Sequence, residues 1–377
     1  MTGLRFENGS IVGIGAEATD SLNVQDGVIA AARSDAITVT VDLEGGYLLP
    51  GFIDTQVNGG GDLLFNDNPT IDTIDHIGIA HRQYGTTSFL PTLISDDLDK
   101  VDTAMRAVEQ AVGAGVPGVV GIHLEGPFLS ASRKGTHDAG KFRRLDDDAV
   151  ALLSSLRHGI TMVTLAPELC DDDQLRALAA AGVILSVGHS DASYERTRAA
   201  FAAGVAGVTH LYNAMSPLNH RSPGVVGATL DDDDVYAGII VDGAHVSAAA
   251  LRIALRARPH DRFMLVTDAM PTVGSLTKSF ILQGKPIRVE NGVCVEENGT
   301  LAGSDLDMVT ALRNAMAMMA VPIATATVMA SAAPARFLKL ADRGTFAPGQ
   351  RADMVWLDAD HQIRGVWQGG VRAFTAE

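Results

Sequence analysis

Eight times between Tyr47 and Ala269 a short apolar run leads into a polar or Gly-rich turn and then a segment of helical periodicity. This alternation limits the possible folds more than any other feature of the chain. The runs cover residues 47–54, 85–92, 119–125, 160–166, 183–188, 207–211, 236–242 and 263–268. They are continuously apolar, as parallel strands covered on both faces are, rather than alternating. The intervening segments read as helices. From Asp171 to Ala181, Leu175, Leu178 and Ala179 fall at helical spacing behind an acidic start and before Gly182. Ser190 or Asp191 is placed to cap a helix running through Tyr194, Thr197, Ala200 and Phe201 to Gly204. Eight such βα units predict an α/β protein whose strands close into a (β/α)8, TIM-like barrel.

A barrel takes roughly 250 residues, and the 377 available leave room for a second unit. Short β-like stretches at 10–14, 27–31 and 37–43 precede the barrel, and strand-like stretches at 351–357 and 362–367 follow the turn-rich 344–349. The expected organisation is a small β-sandwich built from 1–46 plus 345–377, flanking a catalytic barrel of 47–344.

Composition narrows the class of function. Hydrophobic residues at 46% and charged residues at 20% suit a globular core rather than disorder. No apolar run approaches the roughly 18 residues of a membrane span, and Met1–Asn8 lacks the basic-then-apolar order of a signal peptide. With only Cys170 and Cys294 there is no disulfide framework, so a cytoplasmic, reduced protein is expected. The net charge of −16 disfavours nucleic acid and anionic membranes as partners. The acidic clusters 146–148, 171–173 and 231–234 read as solvated turns and helix starts, because adjacent carboxylates repel one another and favour helix N-termini.

The C-terminal ends of barrel strands face the active site, and there the apolar runs give way to ionisable residues. These are His123 and Glu125 on the third run, His189 after the fifth, His210 on the sixth, Asp242 ending the seventh with His245 after it, and Asp268 on the eighth. An ionisable group after four or more apolar residues needs a partner. Glu125, His189 and His210 form a zinc-type set, one carboxylate and two imidazoles with a position left for water. Zinc would lower the pKa of that water to about 7, and Asp268 is placed to accept its proton. Each residue alone has an ordinary structural reading, such as a hydrogen-bonded histidine or a turn cap. Four of them at four strand ends would require that reading four times over.

At these residues the sequence resembles the amidohydrolase superfamily and, within it, the family of N-acetylglucosamine-6-phosphate deacetylases. The resemblance runs in order through Leu-Pro-Gly-Phe-Ile-Asp (49–54), His-Leu-Glu-Gly-Pro-Phe (123–128), Lys-Gly-Thr-His (134–137), Val-Gly-His-Ser (187–190) and Thr-His-Leu-Tyr-Asn-Ala-Met (209–215). It continues through Asp-Gly-Ala-His-Val (242–246), Val-Thr-Asp-Ala (266–269), Thr-Leu-Ala-Gly-Ser (300–304) and Pro-Gly-Gln-Arg-Ala-Asp (348–353). It implies hydrolysis of an acetamido group to acetate and glucosamine 6-phosphate. It also implies one divalent metal per subunit on Glu125, His189 and His210, with Asp268 as general base and then acid, and His245 on the acetyl carbonyl. His137, Asn213, the Ala214 backbone and the Leu301-Ala302-Gly303 loop match sugar-contacting positions. Arg221 matches a phosphate-binding arginine that reaches across a homodimer, consistent with the bidentate fit of guanidinium to phosphate.

One departure bears on the metal. Many amidohydrolases carry a His-x-His pair after the first strand that helps hold a second ion, whereas this chain has Gln56 and Asn58. Neutral amides are poor ligands beside imidazole and carboxylate, so a single ion is expected. Zinc is the expected identity, although iron, cobalt or manganese fit the same ligands. The Gln56 and Asn58 pair also disfavours a cyclic-amide hydrolase. A deacetylase for a related N-acyl sugar phosphate stays open, as does a non-catalytic sugar-phosphate binder, which would have no use for Asp268 and His245.

Overall fold

Because the apolar runs are short and each returns through a helix, the strands pair side by side in chain order, all parallel. The computed structural model describes residues 3–13, 21–30 and 37–376. Its barrel strands are Phe52–Val57, Thr86–Ile94, Gly121–Glu125, Ile160–Leu165, Ile184–Val187, Val205–Val208, Tyr236–Ile239 and Phe263–Leu265. The eighth strand meets the first just past its end, where Asp268 N donates to Gln56 O (3.0 Å) and Asn58 N to Ala269 O (2.9 Å).

The first expected run, 47–54, is two strands. Tyr47–Pro50 pairs antiparallel with Met354–Leu357 in the sheet of the chain ends, and only Phe52–Val57 belongs to the barrel. The chain changes sheets at Gly51, where a Cβ would lie 2.1 Å from Thr87 Oγ1, an approach only glycine permits. The chain ends form two sheets over a shared core that includes Phe6, Leu22, Leu48, Met354, Trp356 and Trp367. Of the expected N-terminal stretches, Ser10–Ile11, Val28–Ile29 and Ile37–Asp42 are strands, while Ile14 and Ala31 lie outside the described residues.

A further departure follows the eighth strand. Residues expected to continue the barrel instead form a four-stranded antiparallel sheet, Ser279–Leu282, Lys285–Glu290, Val293–Val295 and Leu301–Ser304. The segment 301–303, expected as a loop, is therefore the fourth strand of this inserted sheet, tied back to the barrel by an Ala269–Ser304 bridge.

Inside the barrel the side chains lie in layers. At the N-terminal end Ile53, Leu90, Met162, Ile184 and Met264 meet Phe337 from the helix Ala333–Phe337. Above this floor lies a polar layer. His123 Nε2 is 2.7 Å from Thr164 Oγ1, which is 2.6 Å from Thr209 Oγ1, itself 2.7 Å from Ser186 Oγ. Burial pushes the His123 imidazole down to about 4, so it is neutral at pH 7. On the opposite side Asp54 accepts from Thr267 Oγ1 at 2.5 Å, and burial raises its carboxyl to about 7.

The helices cover the outside. Asp146 caps Asp147–Leu153 by accepting from Ala149 N (2.9 Å), and Asp171 precedes Asp172–Ala180. Asp232 accepts from the amides of Asp234 and Val235 in a turn. The cap of Tyr194–Ala202 is Ser193, not Ser190 or Asp191. Ser190 is held instead by Glu168, to which its hydroxyl donates at 2.7 Å. Among the described residues no helix is long and apolar enough to cross a membrane.

Candidate active site

Three strand ends bring one carboxylate and two imidazoles to a point at the barrel mouth. Glu125 Oε1 lies 2.9 Å from His210 Nε2 and 3.2 Å from His189 Nε2, and the two Nε2 atoms are 3.1 Å apart. All three side chains are buried. Both histidines sit on left-handed backbone, His189 at φ 48° and His210 at φ 34°, as does Asp268 at 53°. Each such residue costs about 1–2 kcal/mol in conformational strain. The turn bends each imidazole or carboxylate off its strand toward the axis.

The donor set fits a divalent cation. Burial opposes charge on Glu125, yet its hydrogen bonds and attraction to His189 and His210 hold it well below the usual carboxylate range. Burial likewise opposes charge on His210, and Glu125 nonetheless raises its pKa. The pocket thus favours positive charge at the point where the three atoms meet. His189 Nδ1 donates to Arg133 O (2.9 Å), which turns its Nε2 lone pair toward that point. Two nitrogen ligands, one carboxylate oxygen and mutual separations within 4.8 Å are what a mononuclear site requires.

Gln56 and Asn58 have a task that sequence alone presented only as missing ligands. Gln56 Nε2 donates to both Glu125 oxygens (3.3 and 3.2 Å) and to Asp268 Oδ1 (3.1 Å), while Asn58 Nδ2 donates to the same Oδ1 at 2.7 Å. Both amides engage Oδ1, so Oδ2 of Asp268 is left for a reacting group. Burial, then repulsion from Glu125, raises the Asp268 carboxyl to about 6, against the pull of His210, His245 and Asn58. Asp242, which the sequence marks only as an ionisable residue at a strand end, orients His245. Its Oδ2 accepts from His245 Nδ1 (2.6 Å), and its Oδ1 accepts from the amides of Ala244 and His245. This fixes the imidazole with Nε2 outward. The Asp-x-x-His spacing was the available clue.

Glu125, His189, His210, His245 and Asp268 line a cavity of about 320 Å³ together with His137, Asn213, Ala214, Leu301 and Gly303. His137 Nδ1 is bound to Ser95 Oγ (2.9 Å), and burial pushes its pKa down to about 3, so it is a neutral wall residue. Arg133, Ile94, Ile240 and Met270 also line the cavity and were not anticipated. Two expected residues stand apart. Ala302 points into the apolar core of the inserted sheet, opposite to its strand neighbours Leu301 and Gly303. Arg221 is exposed on the loop before the helix Gly224–Leu230, outside the cavity lining.

The amidohydrolase family model matches residues 47–375. The chain is 42% identical to an N-acetylgalactosamine-6-phosphate deacetylase from Shewanella over 95% of its length and 92% of the relative's. It is 35% identical to an N-acetylglucosamine-6-phosphate deacetylase from Haemophilus influenzae, covering 92% of this chain and 91% of that one. A solved N-acetylglucosamine-6-phosphate deacetylase from Pasteurella multocida superposes with a TM-score of 0.94 at 30% identity, covering 99% of this chain and all of the other. The chain belongs to the amidohydrolase family and, within it, to the deacetylases of N-acetylated amino-sugar 6-phosphates.

Proposed function

We propose that the chain hydrolyses the acetamide of N-acetyl-D-glucosamine 6-phosphate to D-glucosamine 6-phosphate and acetate. The observation that carries this reading is Asp268. It is a carboxylate with one oxygen anchored by two amides and the other unengaged, at the rim of a two-histidine, one-glutamate cluster. Glu125, His189 and His210 hold one divalent ion, with zinc the proposed identity. When bound, the ion supplies Lewis acidity to a water and to the acyl oxygen. Asp268 Oδ2 takes a proton from the attacking water as its oxygen bonds to the carbonyl carbon. His245, held through Nδ1 by the Asp242 carboxylate, offers an N–H from Nε2 to the oxygen that gains negative charge when its ring is the imidazolium. As the C–N bond breaks, Asp268 passes its proton to the leaving nitrogen, giving the amine and acetate. His137, Asn213, the Ala214 backbone and the strand Leu301–Ser304 seat the sugar. Arg221 serves the phosphate of a neighbouring subunit in a homodimer, in keeping with its exposure and its distance from its own cavity lining.

The 42% identity to an N-acetylgalactosamine-6-phosphate deacetylase favours a second substrate, the C4 epimer. Acetate release measured on both epimers and on unphosphorylated N-acetylglucosamine tests the choice. The proposal expects the highest kcat/KM on N-acetylglucosamine 6-phosphate and little turnover without the phosphate. A higher kcat/KM on the galactosamine epimer would transfer the assignment to that substrate.

A further inference from the structure

The hairpin that opens the inserted sheet turns on Gln283 and Gly284, both at positive φ (48° and 80°). Two-residue turns of this kind favour Asn or Gly at the first position, and a glutamine there is strained. Its side chain uses both ends of its amide. Gln283 Nε2 donates to Ser95 O (3.0 Å), and Oε1 accepts from Asp138 N (2.9 Å). Ser95 is the residue whose hydroxyl binds His137.

The residue on the other side of His137 is held from the same sheet. Lys285 Nζ donates to Thr136 O (3.2 Å) and pairs with Glu296 Oε1 (3.1 Å), which also accepts from Thr136 Oγ1 at 2.7 Å. Thr136 and Asp138 are thus gripped on either flank of His137 by residues that touch neither the metal cluster nor the cavity. His137 in turn stands in the cavity wall, its ring centroid 4.4 Å from that of His189.

We infer that Gln283, Lys285 and Glu296 form a latch through which the inserted sheet holds the 136–138 loop against the barrel mouth, positioning His137 for substrate. These are positioning residues, and the inference rests on the proposed reading of the cavity as a sugar-phosphate site. The latch spans two loops and the sheet that supplies Leu301 and Gly303, so it ties together two segments that line one cavity.

The test is the double variant Gln283→Gly with Lys285→Met in the full chain. Glycine suits the turn's backbone better than glutamine, so a role confined to folding the hairpin gives unchanged or improved behaviour. The latch instead gives faster hydrogen–deuterium exchange at the Asp138 amide and its neighbours. It also raises KM for N-acetylglucosamine 6-phosphate by about tenfold, the loss of two to three modest hydrogen bonds, with kcat within about threefold. Restoring Lys285 alone should recover part of the KM. Unaltered exchange across 134–141 overturns the latch, and so does faster exchange with unaltered KM. If the unaltered enzyme turns over no amino-sugar phosphate, the proposed function fails, and the exchange rates alone then uphold or overturn the latch.

Discussion

The floor and the mouth of the barrel are equally buried and built on opposite principles. At the floor, Ile53, Leu90, Met162, Ile184 and Met264 close on Phe337 in one apolar cluster. At the mouth, Glu125, His189 and His210 are withdrawn from water to a similar extent, but as groups that lose hydration by it. Left-handed backbone gathers there at His189, His210, Tyr212, Ala214 and Asp268, while none of the five floor residues carries a positive φ. Burial therefore does different work at the two ends of the same strands. The floor supplies stability, and the mouth consumes some of it to hold charged groups in reactive geometry.

Substitutions at the two ends should consequently fail in different ways. The largest effect is expected for Asp268→Asn, which removes the proton acceptor while keeping the shape. Steady-state assays should show kcat lower by about 10²–10⁴-fold, with metal content and melting temperature close to those of the unaltered enzyme. Phe337→Ala should do the reverse. Denaturant unfolding should reveal a loss of about 3–5 kcal/mol, while kcat per folded molecule holds. A floor variant that abolished turnover without unfolding would break the comparison. Arg221→Ala should raise KM for the phosphorylated sugar by about 10–100-fold, the cost of one charge-assisted contact. It should leave the unphosphorylated sugar little affected, and equal losses on both would remove Arg221 from phosphate recognition.

The smallest effect sharpens the electrostatic side of the contrast. Asp268 must be deprotonated to act as base, so kcat/KM should fall as pH drops through a limb at or below about 6, since a bound cation pulls the raised carboxyl down. Asn58→Ala removes the 2.7 Å hydrogen bond to Oδ1, which favours the charged form. That limb should move up by about half a pH unit, and a pH–rate profile that stays fixed would show that Asn58 does not tune the base.

The mouth was the more legible end in sequence. An imidazole or carboxylate ending an apolar run has few physical reasons to be there, so Glu125, His189, His210 and Asp268 stood out, and the structure brings them together. What escaped notice lacked such contrast. The run from Tyr47 onward is apolar throughout, and periodicity carries no mark of the change of sheet at Gly51. In the inserted sheet, Lys285–Glu290 is half exposed and charged, so no apolar run sets it apart within the 47–344 span expected to be barrel. As residue types, Gln56 and Asn58 read only as poor ligands for a second metal. Their role as donors to Glu125 and Asp268 depends on contacts 69 to 212 residues away in the chain, which no local pattern encodes.

Metal content per chain, determined alongside acetate release from N-acetylglucosamine 6-phosphate for chelated and zinc-restored enzyme, tests the mouth most directly. The expected result is one ion per chain, turnover abolished by chelation and recovered with zinc. A chain that binds its full complement of metal yet releases no acetate, or one that releases acetate equally well after complete removal of metal, would contradict the assignment.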